Sequence, residues 1–234
     1  MKILAVDSSG LTASAAIVDD GVLVAEYTVS HKKTHSQTLM PMIAEICRMA
    51  ELDPGSLDAL AVAGGPGSFT GLRIGAATVK GLAEAWGKPV VSVPTVDALA
   101  MNLYGCTDLV VPLMDARRNE AYTGIYTFEE GELKVIEEQC ALPLPSILEK
   151  INRIGRTAYF LGDGVPVFRE QIGQLAKVPF YFAPAGSGRQ RASWVGVLAM
   201  KFIQNGKAVD AAELGLQYLR MSQAERERTE GKKK

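Results

Sequence analysis

The residues best placed to do chemistry gather at Gly64–Gly75, which reads GGPGSFTGLRIG. An apolar run, Leu57–Ala63, leads in, and small and apolar residues, Ile74–Trp86, lead out. That context is a strand, a glycine loop and a helix. Gly64, Gly65, Gly67 and Gly71 allow positive φ and the close approach of a backbone or a ligand. Arg73 and Gly75 complete the stretch. Ser68 or Thr70 can cap the first free N–H groups of the helix, and a helix N-terminus behind such a loop attracts anions. The Gly-Lys-Ser/Thr of a P-loop does not follow. On spacing alone two readings stay open: a cradle for phosphate, or glycines that only shape a tight strand-to-helix turn.

Other candidates are sparse. His31 and His35, the two histidines, stand four apart, which on a helix puts both on one face. A zinc HExxH motif needs glutamate at its second position as general base. Lys32 stands there instead, its charge opposes a metal, and no Asp, Glu or Cys cluster offers a third ligand. His35 belongs with the start of a helix. The serines include no Gly-x-Ser-x-Gly elbow. Cys47, Cys106 and Cys140 are scattered without metal or disulfide spacing, a usage that fits a reducing cytosol. A net charge of −1 provides no overall field toward nucleic acid, and Lys232–Lys234 read as a solvated tail. No apolar run nears the ~20 residues that span a bilayer, and Met1–Asp7 reads as a short strand, not a signal peptide. The expectation is a cytoplasmic protein away from membranes.

These residues need elements to position them. Lys2–Ser8, Thr12–Val18 and Val22–Val29 predict an antiparallel meander with Asp19-Asp20-Gly21 as a turn. Ser36–Ala50 predicts a helix, with Thr34 and Gln37 at capping-box spacing and Pro41 near the first turn, where proline is tolerated. Leu39, Ile43, Ile46 and Ala50 form one apolar stripe. Met40, Met42 and Cys47 add a second, wider than a one-sided surface helix needs. Asp58–Gly64 is a fourth strand, Gly71–Trp86 a second helix, and Lys88–Val93 a fifth strand ended by Pro94. Asp108–Asp115, Glu120–Thr127 and Leu133–Gln139 predict a second meander, with Glu129-Glu130-Gly131 at its turn. Helix Pro145–Ile154, strand Thr157–Gly162 and helix Val165–Leu175 follow. A late helix over Ser193–Asn205, capped by Ser193 and stopped by Gly206, is expected to pack back on the first lobe. Asp210–Met221 carries Tyr218-Leu219-Arg220, and Gln223–Lys234 reads as frayed.

The order βββαβα thus occurs twice, with Asp7 and Asp115 closing the first strand of each half. Such a repeat predicts an α/β fold of two duplicated βββαβα lobes facing a cleft, the actin-like (ASKHA, RNase H-like) arrangement also seen in sugar kinases. The lobes would span residues 1–103 and 104–221, with a charged tail at 222–234. On Gly71–Trp86, Ala77, Gly81 and Ala85 recur every fourth residue, and Gly71 and Gly75 form another such pair. Small residues at that spacing let two helices approach closely. The stripe either faces its own sheet or, together with the broad apolar surface of Ser36–Ala50, joins subunits; the second reading is preferred.

The glycine string resembles the signature loop of the bacterial TsaB family, the partner subunit in threonylcarbamoyladenosine synthesis on tRNA. The resemblance covers nearly the whole chain. It includes the N-terminal DSS strand end, THSQTLMPMI, VPLMDARRNEAY, the GDG turn and the C-terminal YLR. It implies a small actin-like protein without catalysis of its own, supporting a TsaD-type enzyme. That enzyme transfers threonylcarbamoyl from an adenylate, made by a TsaC-type enzyme, to the adenosine beside the anticodon of tRNAs reading ANN codons. Also implied are a homodimer when alone, a heterodimer with TsaD, a TsaE-type ATPase as third partner, and tRNA met through the complex. The implied interface is the two first-lobe helices: Leu39, Ile43 and Ile46 on one, Gly71, Gly75, Ala77, Gly81 and Ala85 on the other.

In that superfold, nucleotide phosphates sit between two glycine-bearing turns that follow aspartates. Here the first is Asp7-Ser8-Ser9-Gly10, which still offers N–H and hydroxyl donors. The second, Asp115-Ala116-Arg117-Arg118-Asn119, lacks its glycine, and a guanidinium there can bind an anion or fill the cleft. The adenosine-side motif is reduced to Gly162-Asp163-Gly164. A vestigial cleft with no cofactor is expected, with Asp7 and Asp115 mainly turn-formers. The resembling catalytic TsaD type carries metal-binding histidines just after the strand that follows the glycine loop. Thr95 and Leu99 fall at those places, neither can ligate, and no metal is expected. The alternatives are a stand-alone actin-like ATPase or kinase and a metallopeptidase. The missing glycines and ligands count against both.

Overall fold

The computed structural model describes residues 1–31 and 34–220. Lys32, Lys33 and residues 221–234 lie outside the described residues, and with them the expected charged tail and Lys232–Lys234. The first lobe runs β1 (Lys2–Asp7), β2 (Ala13–Asp19), β3 (Val22–Val29), α1 (His35–Met49), β4 (Ala59–Gly65), α2 (Phe69–Trp86) and β5 (Val90–Pro94). A short α3 (Thr95–Ala100) leads to the second lobe. There β6 (Leu109–Asp115), β7 (Glu120–Glu129), β8 (Glu132–Pro143), α4 (Leu144–Ile154), β9 (Ala158–Leu161), α5 (Val165–Leu175) and β10 (Phe180–Phe182) follow, before α6 (Ala192–Gln204).

The two sheets have matching orders, β3-β2-β1-β4-β5 and β8-β7-β6-β9-β10. In each, the meander is antiparallel and the remaining two strands join parallel, with Leu4 opposite Leu60 in one sheet and Val110 opposite Tyr159 in the other. This is the duplicated-lobe architecture of the actin-like superfold. Because side chains alternate along a strand, β1 feeds two cores. Leu4 and Val6 pack with α1 and α2, while Ile3 and Ala5 pack with α6. Burial on both faces explains why β1 and β4 are apolar almost throughout. The α6 cluster also takes Val110, Met114, Tyr126 and Phe128 from the second lobe, so the two lobes share a core. A third cluster places Leu109, Val111 and Leu113 under α4 and α5.

Several local expectations give way to tertiary contacts. The helix α1 begins at His35, so Pro41 is its seventh residue and not in the first turn. The Thr34 side chain makes no capping bond to the helix backbone and meets the Ser36 hydroxyl at 3.2 Å instead. Ser193 does not cap α6, whose N-cap residue is Arg191. The free N–H groups of that terminus are taken by the first sheet: Ala192 N donates to Ser14 Oγ and Ser193 N to Glu26 Oε1. Gly206, at φ +70°, does stop the helix. Beyond it Val209 pairs with Val90 at the edge of the first sheet, and the chain runs on across α2 to the glycine loop, where Gln217 N donates to the Gly64 carbonyl at 2.7 Å.

Candidate functional site

The glycine loop is packed from two sides. Ser68 caps α2, accepting from Gly71 N at 3.3 Å, while Thr70 lies exposed within the helix. Ser8 Oγ donates to the Gly71 carbonyl at 2.9 Å, and Ser68 N donates to the Ser9 carbonyl at 2.7 Å. A Cβ on Gly67 would stand 2.4 Å from the Ser9 carbonyl oxygen, and one on Gly71 2.1 Å from that of Ser8. On the other side Gly65, at φ +120°, lies against the Gln217 carbonyl. The N–H groups of Gly65, Ser68 and Gly71 are all engaged within the chain. Of the two open readings, the tight turn is the one the contacts support. Arg73 stacks its guanidinium 3.8 Å above the Phe69 ring and reaches the Tyr218 hydroxyl at 3.4 Å.

The two aspartate turns are built alike. Asp7 Oδ1 accepts from Ser9 N at 2.9 Å and from Ser9 Oγ at 2.6 Å. Asp115 Oδ1 accepts from Arg117 N at 2.8 Å. Both carboxylates therefore fold their own turn. Burial pushes the Asp7 pKa up to about 6 against the pull of the Ser9 bonds. In the second turn Arg117, Arg118 and Asn119 all hold left-handed backbone, at φ +65°, +55° and +60°, costly for residues with a Cβ. The Arg117 side chain is 83% exposed and pairs with Asp115 at 3.2 Å, so it does not fill the cleft.

What closes the cleft is Asp163. Its Oδ2 accepts from Leu11 N at 3.2 Å, joining the GDG turn to the β1–β2 turn across the lobes. Burial raises the Asp163 pKa, opposed by the Leu11 N–H and by Arg189. A Cβ on Gly10 would meet the Gln190 amide at 2.4 Å and Asp163 Oδ2 at 2.7 Å, while His35 Nε2 stands 2.8 Å from the Gly10 carbonyl. Gly162 and Gly164 press on the Leu113 carbonyl rather than lining open space. The cradle donors at Ser9, Leu11 and Arg117 are spent on protein acceptors, so these residues do not fit a nucleotide in this arrangement. The sequence marked Asp163 and Arg220 only as parts of motifs and gave no sign of Gln190; Arg220 grips the second turn through the Ala116 carbonyl at 2.5 Å.

The positions matched to metal ligands are also spent. Thr95 is fully buried and its Oγ1 accepts from Gly65 N at 3.1 Å, and Leu99 lies in the shared core. These residues do not fit a metal. Among the described residues no cluster of three His, Cys, Asp or Glu side chains is placed to hold one.

The helical surface needs a correction. Leu39, Ile43 and Ile46 are 1–4% exposed and pack with Leu4, Val6 and Ala15 of their own sheet, so they are not a free contact surface. Gly71 and Gly75 are buried against Ser8. The apolar width of α1 is used by its own lobe. Ala77, Gly81 and Ala85 do face outward, and Met40, Ala77, Thr78, Gly81 and Leu82 line a shallow depression between the two helices.

A family model described as "TsaD: tRNA N6-adenosine threonylcarbamoyltransferase" matches residues 23–225. The chain is 31% identical to the tRNA threonylcarbamoyladenosine biosynthesis protein TsaB of Bacillus subtilis (strain 168) over 233 residues, 100% of each chain. It is 32% identical to the protein of the same description from Escherichia coli (strain K12) over 70% of this chain and 72% of that one. Among solved structures it is similar to YeaZ from Pseudomonas aeruginosa, with a TM-score of 0.76 and 27% identity over 93% of this chain and 99% of that one. Matched from end to end at that level, the chain belongs to the TsaB family.

Proposed function

We propose that the chain is a non-catalytic subunit in the synthesis of threonylcarbamoyladenosine on tRNA, supporting a TsaD-type transferase. The end-to-end likeness to one TsaB protein, and a likeness over 70% of the chain to another, support the pathway. One observation carries the non-catalytic part: Thr95, at a place matched to a metal ligand, is buried and spends its hydroxyl on Gly65 N. The vestigial cleft is Asp7, Ser8, Ser9, Asp115, Arg117, Gly162 and Gly164, and its donors are turned inward.

The working surface in this proposal is the outward stripe Ala77, Gly81 and Ala85 with Met40 beside it. Small residues there let a partner helix approach closely. The same stripe would serve a homodimer and, in exchange, a heterodimer with the transferase. A TsaE-type ATPase would join the assembled complex, tRNA would be met through it, and the site of action would be the cytoplasm. Light scattering on gel filtration tests the assembly. The account expects a homodimer alone and a one-to-one complex once a TsaD-type transferase is added. A chain that stays apart from the transferase would count against it.

A further inference from the structure

The sequence singles out Tyr218-Leu219-Arg220 without giving it work, and the function proposed above leaves it unused. In the structure this segment crosses from one lobe to the other. On the first lobe, Gln217 N donates to the Gly64 carbonyl at 2.7 Å, and the Tyr218 ring packs 5.1 Å from Phe69. On the second lobe, Gln139 Nε2 of β8 donates to Gln217 Oε1 at 2.5 Å. Arg220 NH1 donates to the Ala116 and Arg117 carbonyls at 2.5 and 3.3 Å and pairs with Glu120 at 2.8 Å. The Arg220 side chain is 14% exposed, so its charge is largely withdrawn from water and is met by those partners.

We propose that Gln217–Arg220 is a latch that holds the two lobes closed over the cleft between the aspartate turns. The shared core under α3 and α6 joins the lobes by apolar contact. Around the glycine loop and the β1–β2 turn the junction is polar, and among the described residues its hydrogen bonds include those of the latch and the Leu11–Asp163 bond. Arg220 does two things there. It ties the second lobe to a segment anchored on the first, and it donates to the Ala116 and Arg117 carbonyls where the left-handed backbone of Arg117–Asn119 begins. Unfastened, the turn relaxes and the lobes part, which frees Leu11 N from Asp163 and uncovers the turn donors.

Arg117 and Arg118 form an exposed tryptic site on the clamped turn, which gives a direct readout. The full chain and its Arg220→Ala variant are compared by limited trypsinolysis and by amide hydrogen exchange. The latch predicts cleavage after Arg117 or Arg118 on the order of tenfold faster in the variant. It also predicts exchange at Leu11 at least tenfold faster, with amides in the middle of β1 unchanged; Arg220→Lys falls between. Faster cleavage with unchanged Leu11 exchange would reduce Arg220 to a local clamp and overturn the latch, and so would no change in either. If Arg220→Ala fails to fold, Gln139→Ala decides. It removes the other second-lobe fastening, and Leu11 exchange that stays at the wild-type rate overturns the proposal, whereas a severalfold rise supports it.

Discussion

Ser8 and Gly71 are locked together at the centre of the first lobe: the serine hydroxyl donates to the glycine carbonyl at 2.9 Å, and a Cβ on Gly71 would lie 2.1 Å from the Ser8 carbonyl oxygen. Ten residues on, at Gly81 of the same helix, a Cβ would meet nothing within 4 Å. The same substitution therefore has opposite signs at the two positions. Gly71→Ala forces backbone apart in a packed site and lowers stability by about 2–3 kcal/mol. Gly81→Ala raises it by up to about 1 kcal/mol through helix propensity. Urea unfolding of the two variants checks both signs.

The hydroxyl of Thr95 does structural work at a place where the resemblance to the TsaD type implies a metal ligand in the catalytic homologue. Thr95→Val leaves the buried N–H of Gly65 without an acceptor, at a cost of about 1–3 kcal/mol. Thr95→Ser keeps the acceptor, removes one methyl and costs about 1 kcal/mol. Equal losses in the two variants, measured by chemical denaturation, would contradict the role given to that hydrogen bond.

Asp7 makes stability depend on pH in a defined direction. Its folded pKa of about 6 lies above the ordinary 3.8, because burial disfavours the charged form. Below about pH 3.8 the carboxyl is neutral in both states and carries no penalty. As pH rises toward 6 the unfolded chain ionises first, and the folded state loses up to about 3 kcal/mol relative to it, the full amount being reached above pH 6. Asp7→Asn should therefore be more stable than wild type at pH 7.5, and that advantage should vanish near pH 4. Thermal melts of both proteins across pH 4–8 give the difference directly.

The outward stripe carries the assembly prediction. A glutamate at Gly81 or Ala77 is harmless in the free subunit because both positions face water. Buried without a partner in a helix-to-helix contact, it costs about 3 kcal/mol or more, at least ~100-fold in affinity. Circular dichroism should show an intact fold, and gel filtration should show the homodimer and the heterodimer weakened together. A folded Gly81→Glu that still assembles would move the interface to another surface.

The duplicated order of elements was legible because each lobe repeats strong local signals: a meander, a turn such as Glu130-Gly131, and an amphipathic helix. The cap of α2 was legible as Ser68 or Thr70 from their place just after the glycines, and the structure uses Ser68. What sequence reasoning missed is set by contacts between distant segments. Leu39, Ile43 and Ile46 read as surplus apolar surface, since nothing local says that β2, β4 and the chain beyond Gly206 also lie against that core. Ser193 read as a cap, but Ser14 and Glu26 reach that terminus from the first sheet. The glycine loop read equally as an anion site until Ser8, Ser9 and Gln217, from both ends of the chain, were seen to fill its space. Arg220 left no signal beyond its motif, because its partners at Ala116 and Glu120 lie about a hundred residues away.

Transfer of threonylcarbamoyl to tRNA, measured with this chain alone, with a TsaD-type transferase alone and with both, together with the ATPase and the adenylate-forming enzyme in every arm, tests the central claim most directly. The account predicts modified adenosine only where the chain and the transferase are both present, with Gly81→Glu suppressing it. Product formed in the arm that holds this chain and no transferase would contradict the assignment of a non-catalytic subunit.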